Sequence, residues 1–147
     1  PEALARRLAA FERGNTLHVA YMTSGNIAVF DHDAQRIADL MTELNRQFGI
    51  DEQKSPEMER QVLQALKDKQ PGEPDTDAVL KIKELIRWSE AKAAAAVCGC
   101  KEEHLHFLDL PFYQTGTIAK NPPTDDDVRI VRELIERLSM FSLNITP

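Results

Sequence analysis

Two short apolar segments, each ended by turn-forming residues, constrain the fold of this chain most strongly. Residues 17–22 are mostly apolar and are followed at once by the turn-favouring residues 23–26. Residues 105–110 form a second such segment, which ends at Pro111. A strand with little polar alternation is typical of a parallel sheet that is covered on both faces. We therefore predict two buried, parallel strands.

Helices with one apolar face lie between and after these strands. The apolar spacing predicts helices over residues 33–48 and 77–97, with Gly49 and Gly99 at their C-terminal ends. A third helix is predicted near residues 55–66 and a fourth over 125–138. We also predict a helix near residues 4–11 and a final strand over 140–145. We assign this order to the α/β class, as a single domain with a mainly parallel sheet.

Three polar residues stand where helices are expected to begin. Asp33, Ser55 and Thr124 each precede an apolar helical pattern, and each type can accept a hydrogen bond from an exposed backbone N–H group. Residues 50–75 carry more acidic than basic residues and end in a segment rich in proline and glycine. We interpret this region as an exposed helical insertion or lid, with a linker at residues 74–76 as the alternative.

Charge and composition narrow the class of partner. The chain of 147 residues has 18 Lys and Arg against 24 Asp and Glu, a net charge of −6. This balance disfavours nucleic acid and anionic membrane surfaces, which require clustered positive charge. No apolar run reaches the length of a membrane span. The two cysteines and the lack of a signal peptide favour the cytoplasm, and an initial Pro1 suggests a piece of a longer chain.

The expected ligand site follows from the strand ends. In parallel α/β sheets, ligands bind beyond the carboxyl ends of the strands. This rule selects residues 23–26 and 109–113. Their polar and aromatic side chains suit a small polar molecule.

Three sequence motifs occur in an order that resembles a known enzyme family. They are Thr-Ser-Gly-Asn at 23–26, Arg-Trp-Ser-Glu at 87–90 before small residues, and His-Phe-Leu-Asp-Leu-Pro at 106–111. Together they resemble the PIG-L/LmbE-like N-acetylglucosaminyl deacetylases over most of residues 16–138. Residues 19–29 and 98–116 are similar, more narrowly, to the domain fused behind glucosamine-6-phosphate deaminase.

This resemblance implies a Rossmann-like three-layer domain that lacks its first strand and C-terminal part. It also implies zinc-dependent removal of an acetyl group from an amino sugar. Zinc in that family is held by two histidines and an aspartate, and an H-P-D-D motif supplies part of the site. That motif is absent from this chain, as is the later histidine motif. We therefore assign no catalytic residue and no metal ligand, and expect the chain alone to be inactive.

Seven residues are candidates for binding the substrate, two from the resemblance and five from their place in the loops after the strands. Arg87 and Glu90 match family residues near the sugar or its supporting side chains, with an ordinary surface ion pair as the alternative. Thr23, Ser24 and Asn26 form hydrogen bonds to sugar hydroxyls, with Gly25 allowing close approach, or these four residues only shape the turn. Tyr113 stacks on the sugar ring or covers the edge of the core.

Two further groups have metal-binding residue types. Cys98, Cys100, His104 and His106 form a C-x-C-x3-H-x-H pattern. Cys98 is expected to end a helix and the two histidines to lie on a strand, so the four side chains do not readily meet at one point. We therefore favour buried cysteines and strand-edge histidines over a zinc site. The Asp-His-Asp sequence at 31–33 is interpreted as a helix start.

The sequence therefore predicts part of an amino-sugar deacetylase domain that binds a small amino sugar. A non-catalytic structural or oligomerisation module is the alternative. Loss of a strand from a parallel sheet exposes an edge that can pair with another chain, so we expect a homo-oligomer.

Overall fold

A computed structural model describes residues 16–50, 53–117 and 119–142. The predicted N-terminal helix lies outside these residues. Strand β1 comprises Val19–Tyr21 and strand β2 comprises Leu105–Phe107, and the two pair in parallel with Ala20 opposite His106. The predicted parallel pairing is confirmed, but each strand is half as long as its apolar segment.

Helices make up most of the described chain. Short 3-10 helices cover Asn26–Ala28, Glu102–His104 and Pro111–Tyr113. The α-helices are α1 (Asp31–Phe48), α2 (Lys54–Asp68), α3 (Asp77–Val97) and α4 (Asp125–Ser142). This is a mixed α/β arrangement with a small parallel sheet, and the three-layer architecture stays a prediction. No helix in the described ranges is long and apolar enough to cross a bilayer.

The main core lies between α1, α2 and α3. Ala34 and Ala38 of α1 are fully buried, and their small side chains allow close approach of the neighbouring helices. Val62 of α2 packs into the same cluster with Val79 and Ile82 of α3. The expectation that this region lies outside the core is therefore wrong for α2, because its apolar stripe faces the other helices, and the insertion itself stays a prediction.

Helix ends differ from the prediction in three places. Helix α1 begins at Asp31 after Phe30, so Asp33 lies in its first turn rather than at its cap. Helix α2 begins at Lys54, and the hydroxyl of Ser55 accepts a hydrogen bond from Asn45 of α1 instead of capping α2. Residues 140–142 are helical rather than the start of a strand, and residues 143–145 of that predicted strand lie outside the described part.

Aromatic side chains attach α3 to one face of the sheet. Tyr21 and Phe107 are opposite each other in the strand pair and stack with ring centroids 4.9 Å apart. Trp88 of α3 contacts the Phe107 ring at 4.9 Å, and the Tyr21 hydroxyl donates a hydrogen bond to the carbonyl of Ala91 at 3.3 Å. This packing fixes α3 beside the carboxyl ends of both strands.

Candidate functional site

Both post-strand loops lie at the same edge of the sheet, as predicted. Hydrogen bonds continue beyond the strands, from Leu108 N to Tyr21 O at 2.9 Å and from Leu110 N to Met22 O at 3.0 Å. The chain then turns away at both points. This edge therefore brings together residues 23–26, residues 109–113 and the adjacent face of α3.

The first loop is a tight turn with inward-facing polar groups. Ser24 and Asn26 are buried, with 4% and 3% of their surfaces exposed. The Asn26 backbone N–H donates to the Ser24 hydroxyl at 3.5 Å. Ser24 and Asn26 therefore shape the turn, whereas Thr23 and Gly25 are partly accessible to a ligand.

Arg87 of α3 lies beside this turn. Gly25 has a left-handed backbone (φ 68°), and a Cβ added to it would lie 3.3 Å from Arg87 Nε. The Arg87 guanidinium donates to the Glu90 carboxylate, one helical turn away. Both side chains are about half exposed, at 46% and 55%. The predicted ion pair is confirmed, and it leaves the guanidinium accessible at the edge of the site.

Asp109 has an unusual backbone at the end of β2. Its φ is 48°, and it is the one non-glycine residue with positive φ in the described ranges. Such a conformation costs energy, although less for Asp than for most residues with a side chain. Burial raises the pKa of its carboxyl group, and nearby Glu84 raises it further while Lys81 opposes this. The carboxylate accepts a hydrogen bond from Gln114.

A second charged group lies one turn before Arg87 on α3. The Glu84 side chain is only 8% exposed and accepts a hydrogen bond from Lys81 at 2.5 Å. Lys81 also lies over the Trp88 ring, 4.9 Å from its centroid. The sequence analysis missed Glu84, because a glutamate in an amphipathic helix has no local signal of burial.

Tyr113 belongs to the second loop, which α4 holds in place. Asp127 of α4 accepts hydrogen bonds from Phe112 N at 3.0 Å and from the Thr124 hydroxyl at 2.8 Å. Lys120 lies over the Tyr113 ring at 3.9 Å and donates to its carbonyl at 3.2 Å. Burial raises the pKa of the Tyr113 hydroxyl, and the charge of Arg87 partly opposes this.

A mixed-charge cavity of about 710 Å³ lies next to the site. The Lys83 side chain is 4% exposed and donates to Asp31 at 2.5 Å and to Asp75 at 2.7 Å. Lys69 donates to Asp75 at 2.6 Å, which closes an alternating network of four charges. Burial favours a raised pKa for Asp31, but the bonds from Lys83 and Lys69 outweigh it and lower the pKa. Sequence analysis missed this network.

No three His, Cys, Asp or Glu side chains in the described ranges are arranged to hold a metal ion. Cys98 is exposed, whereas Cys100 is buried with its sulfur 3.6 Å from the carbonyl of Leu17. Asp31 binds lysines, and the neighbouring His32 side chain is 73% exposed. The described residues therefore do not fit the zinc site of the resembled family.

Comparison with known proteins gives one informative relative. The chain is 41% identical over 128 residues to a glucosamine-6-phosphate deaminase-like protein of Bacteroides thetaiotaomicron. The match covers 86% of this chain but 19% of the relative, so the chain spans about a fifth of that protein. No family profile matches the chain, and no solved structure matches it.

Proposed function

We propose that this chain binds an amino sugar at the carboxyl edge of its parallel strands, as part of a larger protein of amino-sugar metabolism. The observation that carries this proposal is the 41% identity to a glucosamine-6-phosphate deaminase-like protein over most of the chain.

The geometry supports a division of roles among the site residues. Arg87 supplies an accessible charged donor for a hydroxyl or anionic group, and Glu90 holds it in place. Gly25 leaves room for Arg87 beside the turn, and Tyr113 supplies an aromatic surface. Asp109 adds a half-buried acceptor for a sugar hydroxyl.

The finer proposal concerns the reaction of the longer protein. We infer from the motifs that it removes the acetyl group from an N-acetylglucosamine-type sugar. The described residues do not supply the zinc ligands of that family, so we assign them no catalytic step. Their proposed contribution is to bind and orient the sugar ring.

Titration of the chain with glucosamine 6-phosphate and with N-acetylglucosamine, followed by two-dimensional NMR, tests the binding role. We expect saturable shifts at residues 23–26 and 109–113 for at least one sugar. Arg87→Ala is expected to weaken binding at least tenfold. The matched control is Arg36→Ala, because Arg36 also pairs with an acidic residue three positions away but lies on α1.

Two outcomes would overturn the binding role: no saturable shift with either sugar, or equal effects of the two arginine variants. For the finer proposal, deacetylation of N-acetylglucosamine by the longer protein should fall on chelation and on Arg87→Ala. Sugar binding without deacetylation would reject only the finer proposal.

Self-association is a second candidate role, favoured by the sheet. Within the described residues each strand has one neighbour, so the outer backbone edges of β1 and β2 have no strand partner there. Such edges pair readily with another chain. Light scattering at high protein concentration should then give twice the monomer mass or more, and a monomer mass would reject this candidate.

A further inference from the structure

Three histidine side chains meet beside the sheet, away from the proposed sugar site. His18 directly precedes β1, His104 directly precedes β2, and His106 lies within β2. The His18 ring lies 4.6 Å from the His104 ring and stacks on the His106 ring at 5.3 Å. Residues 18 and 106 are 88 positions apart, so the strand pairing alone brings them together.

Two ring nitrogens in this group face each other. His18 Nδ1 and His106 Nε2 are 3.0 Å apart. Two nitrogens bound at about 2.0–2.1 Å to one metal ion, at an angle near 90–100°, are separated by about 3 Å. Imidazole nitrogen is also a preferred ligand of zinc, copper and nickel. The spacing of these two donors therefore matches that of neighbouring ligands around a transition metal.

We propose that His18 and His106 form a two-histidine clamp for a divalent transition-metal ion, with water completing the coordination. This site is independent of the proposed sugar site and of the zinc site of the resembled family. It is a two-ligand clamp because the described residues offer no third ligand in a suitable position. We expect micromolar rather than tighter affinity.

Arg137 of α4 opposes metal binding at this position. Its guanidinium, which can only donate, lies 3.4 Å from His106 Nδ1. This contact places the His106 proton on Nε2, where it is donated to His18 Nδ1. A metal ion must move that proton to Nδ1 and displace Arg137. Removing the Arg137 charge should therefore strengthen metal binding.

Isothermal titration of the chain with Ni²⁺ alone at pH 7.5 tests the proposal. We expect one site, with at least tenfold weaker binding for His18→Gln and for His106→Gln. Arg137→Gln is expected to bind more tightly than the wild type. His32→Gln is the matched control, because His32 is exposed and lies on α1.

A Cys98→Ser, Cys100→Ser double variant separates the clamp from a thiol site, and it should bind like the wild type. Circular dichroism verifies that each variant is folded, and Ni²⁺ should raise the melting temperature of the wild type more than that of His18→Gln. Absence of binding, unchanged binding by both histidine variants, or loss of binding in the cysteine variant would each overturn the proposal.

Discussion

Arg87 occupies the space that a side chain on Gly25 would need, where the loop after β1 meets α3. A Cβ atom added to Gly25 would lie 3.3 Å from Arg87 Nε and 3.8 Å from its Cγ. The left-handed backbone of Gly25 starts the turn that carries Asn26–Ala28. One glycine therefore sets both the path of the first loop and the position of the guanidinium.

Gly25→Ala should lower the free energy of unfolding by about 1–2 kcal/mol, because an L-residue with a side chain is strained at this φ. The contact with Arg87 should add to that cost. Gly49→Ala is the matched control, since Gly49 has a similar φ of 61° but open space around its Cα. Urea unfolding measures both variants. Equal losses for both would show that the Arg87 contact has no energetic role.

Val62 tests whether α2 belongs to the core. Its side chain is fully buried against α1 and α3, so Val62→Ala should cost about 2 kcal/mol from lost burial and an unfilled space. The neighbouring Leu63 is 40% exposed, and Leu63→Ala should cost clearly less. Urea unfolding of both variants distinguishes the cases. Similar small losses would restore the view of this region as a peripheral lid.

Lys83 is the most buried member of the four-charge network. Lys83→Met leaves the carboxylates of Asp31 and Asp75 with one lysine between them, so we expect a loss of about 3 kcal/mol. Lys101→Met is the control, because Lys101 is 75% exposed and pairs loosely with Glu103 at 3.5 Å. Denaturant unfolding compares the two. A loss below 1 kcal/mol for Lys83→Met would mean that the network contributes little to stability.

The helices could be predicted from the sequence because apolar periodicity is a local signal. Helix α3 has the predicted bounds, and the left-handed φ values of Gly49 and Gly99 agree with their predicted places at helix ends. The cap predicted at Ser55 failed because the alternative is a tertiary contact, whereas Thr124 directly precedes α4 as predicted. Ser55 bonds with Asn45, a residue of another helix, and nothing in the sequence near Ser55 indicates that partner.

The candidate site was only partly accessible to sequence reasoning. The rule that ligands bind beyond parallel strands selected two loops that the structure brings to one edge of the sheet, Tyr113 among them, and the resemblance selected Arg87. Lys83 was missed because its carboxylate partners Asp31 and Asp75 lie outside its helix. Glu84 was missed because nothing in the helical pattern marks it as buried. Helical periodicity reports which residues share a face, but not which charged residues of that face find partners.

We expect Asp109 to lower the stability of the folded chain while it contributes to sugar binding. The raised pKa of Asp109 means that its ionisation is less favourable in the folded state than in the unfolded state. Its contribution to the free energy of unfolding therefore declines as pH rises above 3.8. Asn removes the charge and tolerates a left-handed backbone. Asp109→Asn should therefore stabilise the chain at pH 7 by about 0.5 kcal/mol, after allowance for solvent screening.

Asp109→Asn should also weaken the sugar binding proposed above. Urea unfolding at pH 7 and pH 3 measures the stabilisation by this variant. The stabilisation should be smaller at pH 3, where the carboxyl group of Asp109 is protonated in the folded state. A destabilised variant at pH 7 would contradict the assignment of Asp109 as a strained, unfavourably ionised residue.

The histidine group should make stability fall in mild acid. The folded-state pKa values of His18 and His106 lie below 6.5, so the unfolded chain binds more protons in this range. The contribution of these two histidines to the free energy of unfolding is fully present above pH 6.5. It declines as pH falls through 6.5 toward the folded-state pKa values. Protonation of His106 also places positive charge beside Arg137, while Glu103 partly compensates the nearby His104.

Because both rings are largely accessible to solvent, the expected loss between pH 7.5 and pH 5.5 is a few tenths of a kcal/mol. Metal-free urea unfolding at the two pH values measures it, with a chelator present. His18→Gln should lose less stability over this interval than the wild type, whereas His32→Gln should follow the wild type. Equal pH dependence in all three proteins would show that the lowered pKa values have no effect on stability, and that protonation of this pair does not oppose folding.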